Sequence, residues 1–351
     1  MKDFANNWWK FAIVIMVAGM ILFGIALGMG ARGGALYFDK NGAHITSFAN
    51  HKGDAYVTVS EHSLDAFSSI DVSAVSEKVR LIPSDHYGLE IHMPEGTAPD
   101  WNLTGGKLTV RTNPESGFYL FNLDLSFDND SVYVYYPQNA AFDEVKISSA
   151  SGSVELSGLT ASEISISNVS GSVSADVTLK DGNVSIDTAS GRIKFSGAGS
   201  AKKVYLKSVS GSINAEVNDC AGMTLSTSSG SITARTSGQT ATLLEANSMS
   251  GAIKATGAAW RSLKAETTSG SIEISGRLTG QSSITSMSGG ITISAKGSFS
   301  EYGYDLDSMS GSIRINGERF GRPARSLGAA DAANVITAST ASGSIRLDFS
   351  E

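Results

Sequence analysis

Two patterns of apolar and polar positions divide this chain. Residues 11–29 form an unbroken, uncharged apolar run of 19 residues. As a helix at about 1.5 Å per residue the run spans roughly 28 Å, enough to cross a bilayer core. Beyond residue 64 apolar and polar residues alternate instead, the period-two signature of strands with one buried face. A repeated Ser-Gly punctuates the alternation: Gly152, Gly171, Gly191, Gly211, Gly230, Gly251, Gly270, Gly289, Gly311 and Gly343 are each preceded by Ser. The spacings between them are 19, 20, 20, 19, 21, 19, 19, 22 and 32 residues. Apolar residues fall seven and five positions before the markers and two and four after them, Ser282 before Gly289 being the one exception. Ile164, Ile166, Val173 and Ala175 do so around Gly171, and Tyr304, Leu306, Ile313 and Ile315 around Gly311. Each unit reads as strand, Ser-Gly corner, strand, turn. One unit buries nothing alone, but coils stacked about 4.8 Å apart bring equal offsets into columns and build a continuous core. The predicted fold class is all-β: a single-stranded β-helix (β-solenoid) of about 20-residue coils, with one N-terminal transmembrane helix.

The marker glycines are expected to turn the corners at positive φ, which Gly reaches without a Cβ penalty, and to let stacked backbones come close. Two polar rows accompany them. The marker Ser is one, and a small polar residue three before the Gly is the other: Asn168, Thr188, Ser208, Thr227, Ser248, Thr267, Ser286, Ser308 and Thr340. Hydrogen-bonded ladders lining the corners are the expectation; the alternative is a flat hydroxyl surface for a sugar or an ice-like ligand. Between residues 64 and 149 the alternation loosens but persists through Phe67, Ile70, Val72, Val79, Leu81, Leu108, Val110, Val132, Val134 and Tyr136. These residues read as irregular first coils with longer turns, atypical because they cap an open edge.

The boundaries that follow are a cytoplasmic N-tail at 1–10, an anchor at 11–30, a juxtamembrane linker at 31–63 and the solenoid at 64–350. The irregular coils of the solenoid occupy 64–149 and the regular repeats 150–350. A cleaved signal peptide is the alternative to an anchor, with Gly28-Met29-Gly30 before Ala31 as the cleavage site. Trp8 and Trp9 stand where indoles favour the membrane interface. Lys2 and Lys10 on one side and Arg32 and Lys40 on the other leave the charge rule undecided. A short N-tail is readily retained inside, which puts the body outside the cytoplasm. Gly24 and Gly28 make a G-x-x-x-G, the spacing at which two membrane helices approach closely, so a homodimer through them is a candidate interaction.

Several segments resemble a bacterial adhesin-like family of unknown biochemical function, with single-stranded β-helix or toast-rack-like domains. They are Phe67-x-x-Ile70-x-Val72, Gly106-Lys107-Leu108-x-Val110, Val132-x-Val134-x-Tyr136-Pro137, the Ser-Gly-Ser-Ile/Val units, and the final rung from Thr340 to Leu347. The resemblance covers residues 64–350. It implies a membrane-anchored domain tied to the cell envelope and its stress systems, and it carries over no catalytic residue.

Composition narrows the function. Glycine is abundant at 38 of 351 residues, without the every-third-place period of collagen, and Pro numbers only 6. At 41% hydrophobic the chain is too apolar for disorder, and a net charge of −7 argues against a nucleic-acid partner. Cys220 stands alone, so no internal disulfide is available; it reads as a small buried residue. Gly28 to Gly33 spells G-x-G-x-x-G but follows no strand, and neither G-x-S-x-G nor H-E-x-x-H occurs. His44, His51, His62, His86 and His92 fall within one 49-residue stretch without metal-ligand spacing, and Asp124, Asp128 and Asp130 read as a solvated turn. No metal or cofactor is expected. Three positions after the markers stand Glu155, Ser174, Lys194, Asn214, Thr233, Lys254, Glu273, Thr292, Arg314 and Arg346, a row without the paired acids a glycan-cleaving β-helix needs. The chain is therefore not expected to be an enzyme. One candidate site remains, the basic stretch with Arg314, Arg319, Arg322 and Arg325, read either as a loop for an anionic envelope polymer or lipid or as a cap on the last coil. The leading function is a non-catalytic, adhesin-like scaffold; the alternative is an envelope-stress sensor that responds to cell-wall-active peptides or controls a membrane-protein partner.

Overall fold

The computed structural model describes residues 34–39, 42–47, 56–94, 99–112, 118–121, 130–325 and 332–350. The apolar run 11–29, the Gly24 and Gly28 pair, the stretch 28–33, His51, Asp124 and Asp128 lie outside them, as do the side chains of His44 and Arg325. Among the described residues no helix is long and apolar enough to cross a membrane. The only helical turn among them is a single 3-10 turn at Phe299–Glu301; the rest is strand and connection.

The chain divides into two compact units. In the smaller, strands Gly34–Asp39, Gly42–Ser47 and Phe118–Phe121 form an antiparallel sheet with Gly34–Asp39 in the middle. Part of the expected linker at 31–63 is thus strand. Tyr56–Glu61 belongs to the larger unit, where it pairs antiparallel with Gly88–Pro94.

The larger unit is the expected solenoid. Its parallel strands hold equal offsets in register from coil to coil: Val154 beside Val173, then Ile193, Ile213, Ile232, Ile253, Ile272, Ile291 and Ile345. Every member of this column is buried, and burying each such side chain stabilises by about 1.5–3 kcal/mol. The irregular apolar residues from Phe67 to Tyr136 join the same core. Cys220 is buried there too, in register with Ala201, and burial pushes its thiol pKa up.

The corners correct one expectation. No marker glycine has φ in the left-handed region. What excludes a side chain is the neighbouring coil. A Cβ on Gly211 would stand 1.8 Å from the carbonyl oxygen of Gly191, and at the other markers the same contact is between 1.8 and 2.1 Å. The carbonyl that each marker meets traces the order of coils: Glu77, then Gly152, and so on to Gly289, then Gly343, and last Gly311. Glu77 ends the column without a glycine. Its buried carboxylate accepts hydrogen bonds from the Val75 and Ser76 amides and from Thr112 Oγ1.

Sequence order and stack order differ at both ends. The last strands in sequence, Asn334–Thr340 and Ile345–Ser350, insert between the coil of Gly289 and the coil of Gly311. At the other end, Ser69–Ala74 lies between Lys107–Arg111 and Ala141–Ser149, parallel to both. Each end is closed by antiparallel strands, Asp100–Thr104 and Gly88–Pro94 at one, Glu318–Phe320 and Ala324–Arg325 at the other. Such strands blunt the open edge of a stack.

Candidate functional site

The two polar rows have opposite fates. The row three before the marker is buried in all ten coils, Ser149 included. Each of its side chains accepts the marker's amide N–H at 2.8–3.1 Å. In eight coils it also donates to the carbonyl of the marker in the adjoining coil, at 2.8–3.2 Å. This is the structural ladder, and no ligand reaches it. The marker serines are exposed in every coil. Only Ser151 and Ser310 among them donate a side-chain hydrogen bond to a neighbouring coil, to Val75 O and Ala341 O.

The basic stretch lies on the terminal coil. Its strands pair antiparallel with Ile313–Ile315 and Tyr302–Ser308, which is the arrangement of a cap. Arg322 serves that cap: its guanidinium donates to Met309 O and Gly311 O at 3.0 and 3.2 Å. Arg314 and Arg319 do not. Arg314 stands in register with Arg319 on one side and with Arg346 on the other, so three exposed arginines cross three adjacent strands in one row. Arg346 is ion-paired with Asp348; Arg314 and Arg319 have no ion-pair partner among the described residues. Sequence offsets place Arg346 in the same outward row as Arg314, but only the inserted coil makes them neighbours.

Three of the five histidines come together on the outer face of the Gly88–Pro94 sheet. The His62 and His86 rings are 6.1 Å apart, His86 meets Asp85 at 2.6 Å, and His92 meets Glu90 at 2.8 Å. A hydrogen bond from the Tyr135 hydroxyl is the foremost cause holding the Glu90 carboxyl below its usual range, while Tyr135 itself is pushed up to about 12 by burial. Among the described residues no group of three or more His, Cys, Asp or Glu is placed to hold a metal ion.

A carboxylate pair lies outside the row three after the markers. Glu144 and Glu163 sit in register on adjacent coils, eight before their markers, and line a cleft with Asn183, Lys203 and Tyr205. Both are exposed, and Asn183 donates to Glu163 at 2.7 Å.

No curated protein matches the chain. Solved structures similar to it include a "putative lipid binding protein" from Parabacteroides distasonis ATCC 8503, at 15% identity over 86% of this chain and 98% of that chain with a TM-score of 0.37. A "putative adhesin" from Bacteroides fragilis NCTC 9343 is 12% identical over 84% of this chain and 97% of that chain, with a TM-score of 0.26. A "putative cell adhesion protein" from Clostridium sporogenes ATCC 15579 is 8% identical over 85% and 100%, with a TM-score of 0.21. The family described as Toastrack DUF4097 matches residues 67–279 and 235–348, a span that takes in the marker glycines, the buried ladder and the arginine row. The chain belongs to the Toastrack DUF4097 family.

Proposed function

We propose that this chain is a membrane-anchored, extracytoplasmic scaffold that works by binding, without catalysis, and that the arginine row of its terminal coil takes an anionic envelope polymer. The row carries the proposal. Like charges directly opposite one another on adjacent strands destabilise a sheet, and here Arg346, Arg314 and Arg319 stand side by side. A polyanion relieves that repulsion, and the planar guanidinium fork suits phosphate and carboxylate groups. The apolar run 11–29 supports the anchor, and the short polar tail before it supports a body outside the cytoplasm. Against catalysis stands the setting of the Glu144 and Glu163 pair, since both are exposed and general acids work in shielded sites that tune their proton affinity.

The test uses the full-length chain and immobilised poly(glycerol phosphate). Binding should weaken as salt rises from about 0.1 M to 1 M and the Debye length falls from about 10 Å to about 3 Å. Changing Arg314, Arg319 and Arg346 together to Ser should remove the salt-sensitive binding and leave the melting temperature near that of the parent. Unaltered binding in the triple variant contradicts the proposal.

A further inference from the structure

Two positions before each marker, the corners carry a row that the buried ladder does not explain. Its large members are Val169, Val209, Met249, Met287 and Met309, exposed by 54, 48, 61, 60 and 78%. They are five of the eight exposed large hydrophobics among the described residues. Single exposed apolar side chains are ordinary, but a straight row of them is not. In stack order they occupy every second coil, with Ala, Ser or Thr in each coil between. Sequence order hides this, because Met287 and Met309 belong to successive markers. The inserted coil restores the alternation: Ser342 N donates to Met287 O and Ser310 N to Ala341 O, so Ala341 lies between the two methionines.

Two coils are about 9.6 Å at the usual strand spacing. The adjoining row presents an exposed marker Ser in every coil. Neither row has a charged residue in any of the ten coils, on a chain whose net charge is −7. Beside them runs a groove lined by Ser226, Asn247, Met249, Glu266, Thr268 and Met287, and the buried Asn247 Oδ1 there has no hydrogen-bond partner. The occupant is therefore uncharged, rich in hydroxyls, able to donate to an amide oxygen, and marked by an apolar group at the two-coil repeat. The row is one side chain wide. It falls short of the roughly 1,000 Å² that a stable interface between two protein surfaces buries, which favours a slender polymer over a second copy.

We propose that this ridge binds an uncharged, N-acetylated β-1,4-linked glycan strand laid along the stack. In such a strand successive sugars are turned over. The acetamido groups of one edge therefore recur once per disaccharide, a length close to two coils. Their methyl groups meet the Val and Met side chains, an acetamido N–H reaches Asn247 Oδ1, and ring hydroxyls meet the serine row.

Calorimetry of the full-length chain with chitohexaose and with cellohexaose, which lacks only the acetamido groups, tests the assignment. Chitohexaose should bind saturably, with an affinity insensitive to salt between about 0.1 M and 1 M, which separates it from the arginine row. Cellohexaose should bind more weakly by roughly tenfold or more, and the Met249→Ser/Met287→Ser variant should lose roughly tenfold for chitohexaose. Its melting temperature should not change, because both side chains are exposed. No saturable binding, equal affinity for the two sugars, or full binding in the double variant overturns the proposal. Self-association of the parent that the double variant abolishes, without glycan binding, also overturns it and gives the ridge to a second copy.

Discussion

At the corner a single carbonyl oxygen decides which residue is tolerated. Gly211 has an ordinary backbone conformation, yet a Cβ there would fall 1.8 Å from Gly191 O and 2.8 Å from Ser208 Oγ. Even alanine must push two coils apart or break the ladder bond of Ser208. Gly211→Ala should therefore destabilise by about 1–3 kcal/mol or more, the range of overpacked cores, read as a lower denaturation midpoint. Ser210→Ala, one residue away and exposed, should leave the midpoint unchanged. Equal midpoints for Gly211→Ala and the parent would sink the close-contact explanation. Sequence alone makes the need for glycine legible but not its cause, because left-handed turns and close approach select the same residue. Glu77 is illegible for a related reason: it holds the place of a marker with no Ser-Gly around it.

Among the strands, the regular coils are legible because they repeat the same four apolar offsets, with Ser282 the one polar residue in the set. The first coils are harder. Their buried positions are apparent in the sequence, but their partners are antiparallel strands and a coil out of sequence order, which offsets cannot reveal. Ser69–Ala74 also carries a charge whose setting gives a pH dependence. Asp71 faces Lys107 at 3.2 Å and Arg111 at 3.1 Å. Burial by itself raises its pKa, and the hydrogen bonds and charges of Arg111 and Lys107 outweigh that and hold it below the usual carboxylate value. A pKa depressed on folding contributes stability that is complete above the unfolded value, about 4, and is lost as pH falls through the folded one. Asp71→Asn should therefore be less stable than the parent at neutral pH, with the gap closing below about pH 4. Denaturant titrations across pH measure that gap, and a constant difference at every pH contradicts the assignment.

For the whole molecule, the order of coils is what turns rows into surfaces. Arg346 adjoins Arg314, and Ala341 separates Met287 from Met309, only because the last coil in sequence is the last but one in the stack. The 32-residue step to Gly343 signals an insertion. It does not reveal the inversion, since Ile313 and Ile345 carry the same offsets and fit either slot. Exposed marker serines allow a direct test by disulfide trapping. Adjacent coils place equivalent Cα atoms about 4.8 Å apart, within disulfide reach, whereas two coils separate them by about 9.6 Å, beyond it. The native Cys220 is buried, which keeps it out of the reaction. The Ser288→Cys/Ser342→Cys variant should close a disulfide on mild oxidation, and Ser288→Cys/Ser310→Cys should not. Efficient closure of the second pair with none of the first would mean that the coils stack in sequence order, and would dismantle both the arginine row and the alternating ridge.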